Sequence, residues 1–307
     1  MNDLYFKEQN ELSDMSTRNA KILLLLVFIA RGTSFLFSKT LLTELPPLSI
    51  IAVRFTLSFL ILAVLFWNKL RNSGKAELSG GIQLGVLYTL SMVTEMYALR
   101  LIDTGVCSLI ENMAIVLVPI ITAILTRTLP KKKTVFCAVL AVIGVGFLSV
   151  TQRVSRGGGL GILLAVATAV LYACCIMRTK IVSKDADALA IGIIQLGIMG
   201  LCCTILSLLT GTFEIPHTGR QWFLIGMLIL VCSCFGFAFQ PVAQKYLPAE
   251  TAAVFTVANP LTASFMGIVI LGEKVSTAKV IGFLLILTSL VVYNLDSVRD
   301  SEDHDRR

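Results

Sequence analysis

Residues 21–42 read KILLLLVFIARGTSFLFSKTLL, an apolar run with Arg31 at its centre. At about 1.5 Å per helical residue the run covers about 33 Å, enough to cross the hydrocarbon of a bilayer. A bare guanidinium at mid-membrane costs at least roughly 2.5–3.5 kcal/mol on insertion scales. A chain that keeps one there must give it a protein partner, a water-filled cavity or both.

The rest of the chain repeats the pattern. Of 307 residues, 56% are hydrophobic and 15% charged, against roughly 25% charged in soluble domains. The apolar residues recur in blocks of membrane-crossing length, so the expected fold is an all-α, polytopic integral membrane protein. The lipid bilayer is its first partner. The net charge of +7 lies in short loops between apolar blocks. That placement sets orientation in the membrane and excludes nucleic acid as a partner. All eight cysteines lie inside apolar blocks, at no zinc-site or CxxC spacing. They read as small packing residues, and no metal, cofactor or catalytic residue is expected.

Ten spans can be drawn: 21–42, 48–67, 80–101, 104–126, 134–151, 158–180, 188–210, 221–245, 249–271 and 275–295. Residues 1–20 form an N-terminal tail and 296–307 a C-terminal one. No A-x-A-like site follows the first apolar run, so it reads as a retained span, not a signal peptide. Pro46-Pro47, Asn72-Ser73-Gly74, Pro130-Lys131 and Gly157-Gly158-Gly159 punctuate the blocks. Most Lys and Arg between spans fall on the side shared by the termini, and the bias comes mainly from the first half. The expectation is a multi-pass plasma-membrane protein with both termini cytoplasmic. Trp67 and Trp222 fall at span ends, where interfacial indoles belong.

A weak internal repeat relates the halves 21–151 and 158–295: an offset of 141 residues carries Lys39 onto Lys180, Gly85 onto Gly226 and Pro119 onto Pro260. Near Ala98-Leu99-Arg100 the better partner is Ala243-Gln244-Lys245. Five spans per half is odd, so the second copy enters upside down, and inverted repeats place a transport site between them at the midplane. Span 6 carries Gly161, Ala165, Ala169 and Ala173, a stripe that lets two helices approach closely.

Counting inward from the span edges puts Arg54, Glu95 and Glu111 at one level, roughly 20 Å from the inner face, with Arg31 within reach of it. Two readings stay open. Either the four charges pair and tie spans 1–4 together, or they line a site. A pair about 4 Å apart gains roughly 4 kcal/mol at an effective dielectric near 20, which only about offsets its desolvation. Stability alone is therefore a poor reason to keep four such groups. Pro119 leaves the Ile115 carbonyl without a helical donor, and Pro260 does the same to Thr256. Asn112 and Asn259 lie close by, and Gln195, Tyr97 and Tyr172 could face the same cavity; each also reads as an ordinary interhelical hydrogen bond.

The arrangement resembles the EamA-type ten-helix carriers of the drug/metabolite transporter superfamily over roughly residues 20–296. The resemblance rests on Arg31-Gly32 followed by Lys39, Leu45-Pro46-Pro47-Leu48, Arg54-Phe55, Asn259-Pro260, Gly272-Glu273 and Gly282. Two departures stand out. The family's Trp-Gly in the first helix is Arg31-Gly32 here, and Leu129-Pro130-Lys131 replaces a Gly-Glu pair after span 4. The resemblance implies an alternating-access carrier, an exporter of amino acids or other small metabolites, with a central cavity between the repeats.

On that reading the partner is a small polar or amphipathic molecule. Arg31 and Arg54 hold an anionic group, and Glu95 or Glu111 holds an amine or carries a coupling proton. No oligomeric state is implied. There is no GxxxxGK[ST] loop for ATP. A membrane enzyme acting on a lipid-linked substrate is the alternative from another class. It is disfavoured because His217 and His304 lie in a loop and a tail, and neither HExxH nor GxSxG occurs. A third reading is an assembly subunit whose charged layer recruits partner helices.

Overall fold

The computed structural model describes residues 17–127, 129, 132–152, 157–182, 186–236, 255 and 257–305. Among these residues there are helices and connections, and no strand. Pro130-Lys131, Arg153, Arg156, Lys184 and Ala243-Gln244-Lys245, which enter the topology and repeat arguments, lie outside the described residues. The helices are α1 (Thr17–Leu41), α2 (Pro47–Leu65), the short α3 (Trp67–Arg71), α4 (Lys75–Leu101), α5 (Thr104–Asn112) and α6 (Ala114–Thr126). The first half ends with α7 (Lys132–Gln152), the fifth span, and the second half supplies α8 (Gly158–Val182), α9 (Ala188–Leu209), α10 (Gly219–Met227), α11 (Ala258–Val269) and α12 (Thr277–Asp305). A π-helical stretch, Leu228–Phe235, continues α10. Each of the ten expected spans thus coincides with a helix or a broken helix over its described part.

Five of these helices are long and apolar enough to cross a membrane by length and composition, among them Arg18–Leu41, Pro47–Leu65 and Ala188–Leu209. Their outward residues are apolar: Val64, Leu125 and Leu209 are all highly exposed. An apolar face that large is normal only against lipid. Trp67 and Trp222 are exposed at helix ends, as expected of interfacial indoles. None of the eight cysteines is in a disulfide, and five of them are buried.

The helices pair across the two halves. The main contacts are α2 with α9, α7 with α12, α5 with α11, α4 with α8, α4 with α9, α1 with α11 and α6 with α8. The π-helical stretch adds contacts to α1 and α2. Exchanging the first five spans for the last five carries each pairing onto another in this set. The three-dimensional contacts therefore have a two-fold relation, of which the sequence keeps only faint traces. Because five is odd, that relation inverts one half with respect to the other.

Small residues make the closest of these contacts. A Cβ on Gly282 would lie 2.8 Å from the Gly144 carbonyl oxygen, and one on Gly144 would lie 3.0 Å from that of Gly282. Only glycine at both positions lets α7 and α12 touch backbone to backbone. The Gly161, Ala165, Ala169 and Ala173 stripe is buried on α8, and Gly161 sits against Leu101 and Ile102 at the end of α4.

Pro46 and Pro47 start α2 cleanly. Pro46 is extended, with ψ of 144°, and Pro47 opens the helix, where a missing N–H costs nothing.

Ion pairs close both ends of the bundle, unequally. At one end Lys69 meets Asp187 at 3.0 Å with both side chains more than two-fifths exposed. Asp187 also caps α9 through the amides of Leu189 and Ala190. Burial pushes the Asp187 carboxyl up, but the Lys69 bond and the capping amides outweigh it and hold the group below its ordinary range.

At the opposite end the knot is buried. Lys279 Nζ donates to Asp103 Oδ2 at 2.8 Å and Glu273 Oε2 at 3.3 Å. Glu273 Oε1 accepts from the Thr104 amide at 2.6 Å and the Thr104 hydroxyl at 2.7 Å, capping α5 from the other half. Gly272, at φ 66°, makes the turn that presents Glu273. Lys39 Nζ caps the far end of α4 by donating to the Leu99 and Ile102 carbonyls. The short signatures Gly272-Glu273 and Lys39 are therefore helix caps.

Candidate functional site

The two broken spans meet at the charged layer. Span 4 breaks at Met113, whose carbonyl accepts from both Val116 and Leu117 at the head of α6. Glu111 and Asn112 are the last residues of α5, immediately before that break. Pro119 lies inside α6, one and a half turns on. In span 9, Val257 is a turn and α11 restarts at Ala258, so Asn259 and Pro260 occupy its first turn. Pro260 thus lies in the first turn of α11. In a first turn the absent N–H has no intrahelical partner to lose. Thr256 lies outside the described residues.

Arg54, Glu95 and Glu111 are at most 5% exposed, and Arg31 is half-buried. They gather as the depth argument predicts: Glu95 lies in Coulombic range of Glu111, Arg54 and Arg31, and Glu111 in range of Arg31. Among the described residues, however, no direct ion pair joins a guanidinium to a carboxylate of the layer. Arg31 Nη2 instead donates to the Tyr172 hydroxyl at 3.1 Å. Arg54 Nε donates to the Ser233 hydroxyl at 2.9 Å, with its Cζ 4.9 Å from the Phe55 ring centroid. Both arginines belong to the first half, and both hydroxyls to the second.

The acids carry unmet capacity. Among the described residues, one oxygen of each, Glu95 Oε2 and Glu111 Oε2, is buried without a hydrogen-bond partner, as is Asn259 Oδ1. Gly32, next to Arg31, lets the Asn259 backbone come against α1. A Cβ there would lie 2.7 Å from the Asn259 carbonyl oxygen and 2.6 Å from Thr262 Cβ. Glycine after Arg31 brings α11 against α1 at the depth of the guanidinium.

The remaining candidates divide. Tyr172 is in the layer, its ring 6.2 Å from Tyr88 in an edge-on arrangement. Asn112 is buried but spends its amide on the Ser108 carbonyl of its own helix, at 2.8 Å. Gln195 is buried where α9 meets α4, its amide 3.9 Å from Met199 Sδ one turn on. Tyr97 is 38% exposed and continues the outward stripe of Leu78, Ile82, Val86 and Leu90. Two residues beyond Glu95 on an α-helix is about 200° around, so Tyr97 cannot share its face. Tyr88, seven residues before Glu95, does share it, and that spacing was the readable signal.

Ser233 and Cys232 had no such signal. They lie in the π-helical stretch Leu228–Phe235, where Cys232 Sγ donates to the Ala30 carbonyl at 3.2 Å and fixes the stretch against α1. A π-helical run re-aims side chains that an α-helical count would place elsewhere.

The sequence matches the EamA-like transporter family over residues 19–150 and again over 159–295. A solved structure described as "Crystal structure of protein" is similar over 92% of this chain and 99% of its own. The TM-score is 0.65 and the identity 16%, a likeness that shows the fold alone. No curated protein matches the sequence.

Proposed function

This chain belongs to the EamA-like transporter family, and we propose that it is a secondary carrier working by alternating access around the charged layer. It is a multi-pass membrane protein, and its family is one of membrane transporters of the drug/metabolite type. The substrate is a small polar or amphipathic metabolite such as an amino acid, and the direction is export across the plasma membrane. One observation carries the reading: each buried guanidinium of the first half is held by a hydroxyl of the second. A pair of polar contacts across a pseudo-two-fold interface breaks and reforms when the halves rock, and it sits where broken helices free backbone groups for a ligand.

With both termini cytoplasmic, the buried Lys279 knot faces outward and the exposed Lys69–Asp187 pair faces the cytoplasm. Substrate loaded from the cytoplasm then leaves when the knot parts. Glu95 and Glu111 are the groups that would carry a coupling proton: Glu95 lies in Coulombic range of Glu111, Arg54 and Arg31, and Glu111 in range of Arg31.

The test is counterflow in vesicles containing the purified protein, across a panel of small metabolites. Accumulation of at least one labelled solute against its unlabelled form is expected, and no counterflow with any solute contradicts the carrier reading. Glu95→Gln and Glu111→Gln are each expected to abolish the pH dependence of transport while leaving the protein folded. Wild-type pH profiles in both variants would refute proton coupling.

A further inference from the structure

The layer's donors and acceptors are unbalanced, and the imbalance has a direction. We infer that the site recognises an ammonium group through Glu95, Glu111 and Asn259, and that a carboxylate on the substrate is dispensable. This rests on the reading above that the layer is the substrate site.

The acceptor side comes first. Among the described residues, Glu95 Oε2, Glu111 Oε2 and Asn259 Oδ1 are buried and have no donor, as are the hydroxyls of Ser38, Ser108 and Ser264; the three acceptor residues are at most 5% exposed. They come from α4, α5 and α11, so both halves contribute. A buried acceptor left unmade costs its full desolvation, more so when charged, so an arrangement with three of them is organised for donors. A primary ammonium brings three donors and no acceptor. Its charge also matches the two carboxylates, which the protein balances only at a distance.

The donor side points the same way. Arg31 and Arg54 donate to the neutral oxygens of Tyr172 and Ser233, and the Arg54 guanidinium lies against the Phe55 ring. A ligand carboxylate would compete with these contacts and still leave all three acceptors unmet. The guanidinium charges therefore balance the acids, and the expectation that they hold an anionic group of the substrate is replaced. Tyr88 and Tyr172, edge to face at 6.2 Å, lie by Arg31 and offer an aromatic wall at the edge of the layer for an apolar or aromatic body carrying the ammonium.

Three probes with one body separate the possibilities: phenethylamine, phenylalanine and 3-phenylpropionate. Each is titrated against the purified full-length protein, with binding followed by thermal shift and isothermal calorimetry. Phenethylamine is expected to bind at least tenfold more tightly than 3-phenylpropionate, with phenylalanine on the side of the amine. Glu111→Gln and Glu95→Gln should each weaken phenethylamine at least tenfold; the comparison of probes on the wild-type protein stands even if a variant does not fold.

Equal or tighter binding of 3-phenylpropionate overturns the inference. So does a shift produced by sodium ion alone, or no binding by any of the three. Amine binding without counterflow of any solute would leave this recognition intact while removing the carrier reading.

Discussion

Replacing Lys279 with methionine is expected to lower the unfolding free energy by about 3 kcal/mol, the lower end of the range for removing one member of a buried ion pair. Lys279 is 8% exposed. Its ammonium serves Asp103 Oδ2, Glu273 Oε2 and the Lys274 carbonyl at once. Methionine fills the same volume but leaves the Glu273 carboxylate buried, with only the Thr104 amide and hydroxyl to hold it. The charge, not the packing, is what the substitution removes. Lys279→Met/Glu273→Gln should recover most of the loss, since a glutamine oxygen still accepts from Thr104 and the carboxylate that stays charged, Asp103, is 30% exposed. Thermal unfolding in detergent would read the series. A single variant as stable as wild type, or a double variant no better than the single, would show that the knot does not hold the two halves together.

The second large effect is expected at Arg54. Arg54→Met removes the guanidinium that donates to Ser233 and lies in Coulombic range of Glu95. Glu95 then faces Glu111 with Arg31 as the remaining cation. The expected loss is again about 3 kcal/mol, because a buried carboxylate without its counter-charge is the costly species. Neutralising the acid as well, in Arg54→Met/Glu95→Gln, should restore stability but not transport. That split separates balancing charge from binding substrate. If the single variant unfolds at the wild-type temperature, the four charges are not one balanced set.

These two sites show how far the residues could be read before the fold was known. Span limits were legible because hydrophobic block length and Pro46-Pro47 are local signals, set by backbone sterics and membrane thickness. The common depth of Arg31, Arg54, Glu95 and Glu111 was legible too, since helical rise converts position into depth. Partners were not. Arg31 meets Tyr172 and Arg54 meets Ser233 across more than a hundred residues, and contacts of that kind depend on how the halves dock.

Helical phase explains the tyrosine error. Tyr97 is nearer Glu95 in sequence, yet Tyr88 is nearer in angle, and only the latter shares its face. The π-helical stretch Leu228–Phe235 changes the phase itself, so no α-helical count could have aimed Ser233 at Arg54. Gly272-Glu273 was legible only as a signature. Its role as the cap of α5 needs the other half of the chain in place.

A single cysteine at position 259, in a protein whose eight native cysteines are replaced by serine or alanine, tests the chamber most directly. Asn259 is buried on α11 where that helix meets Gly32 of α1, so on the carrier account water reaches it only through the space between the halves. Asn259→Cys in sealed vesicles should react with a membrane-impermeant thiosulfonate, and a transported solute should slow that reaction. If the thiol resists the impermeant reagent from both sides of the membrane and reacts only with a lipid-soluble maleimide, no water reaches the charged layer and the carrier account fails.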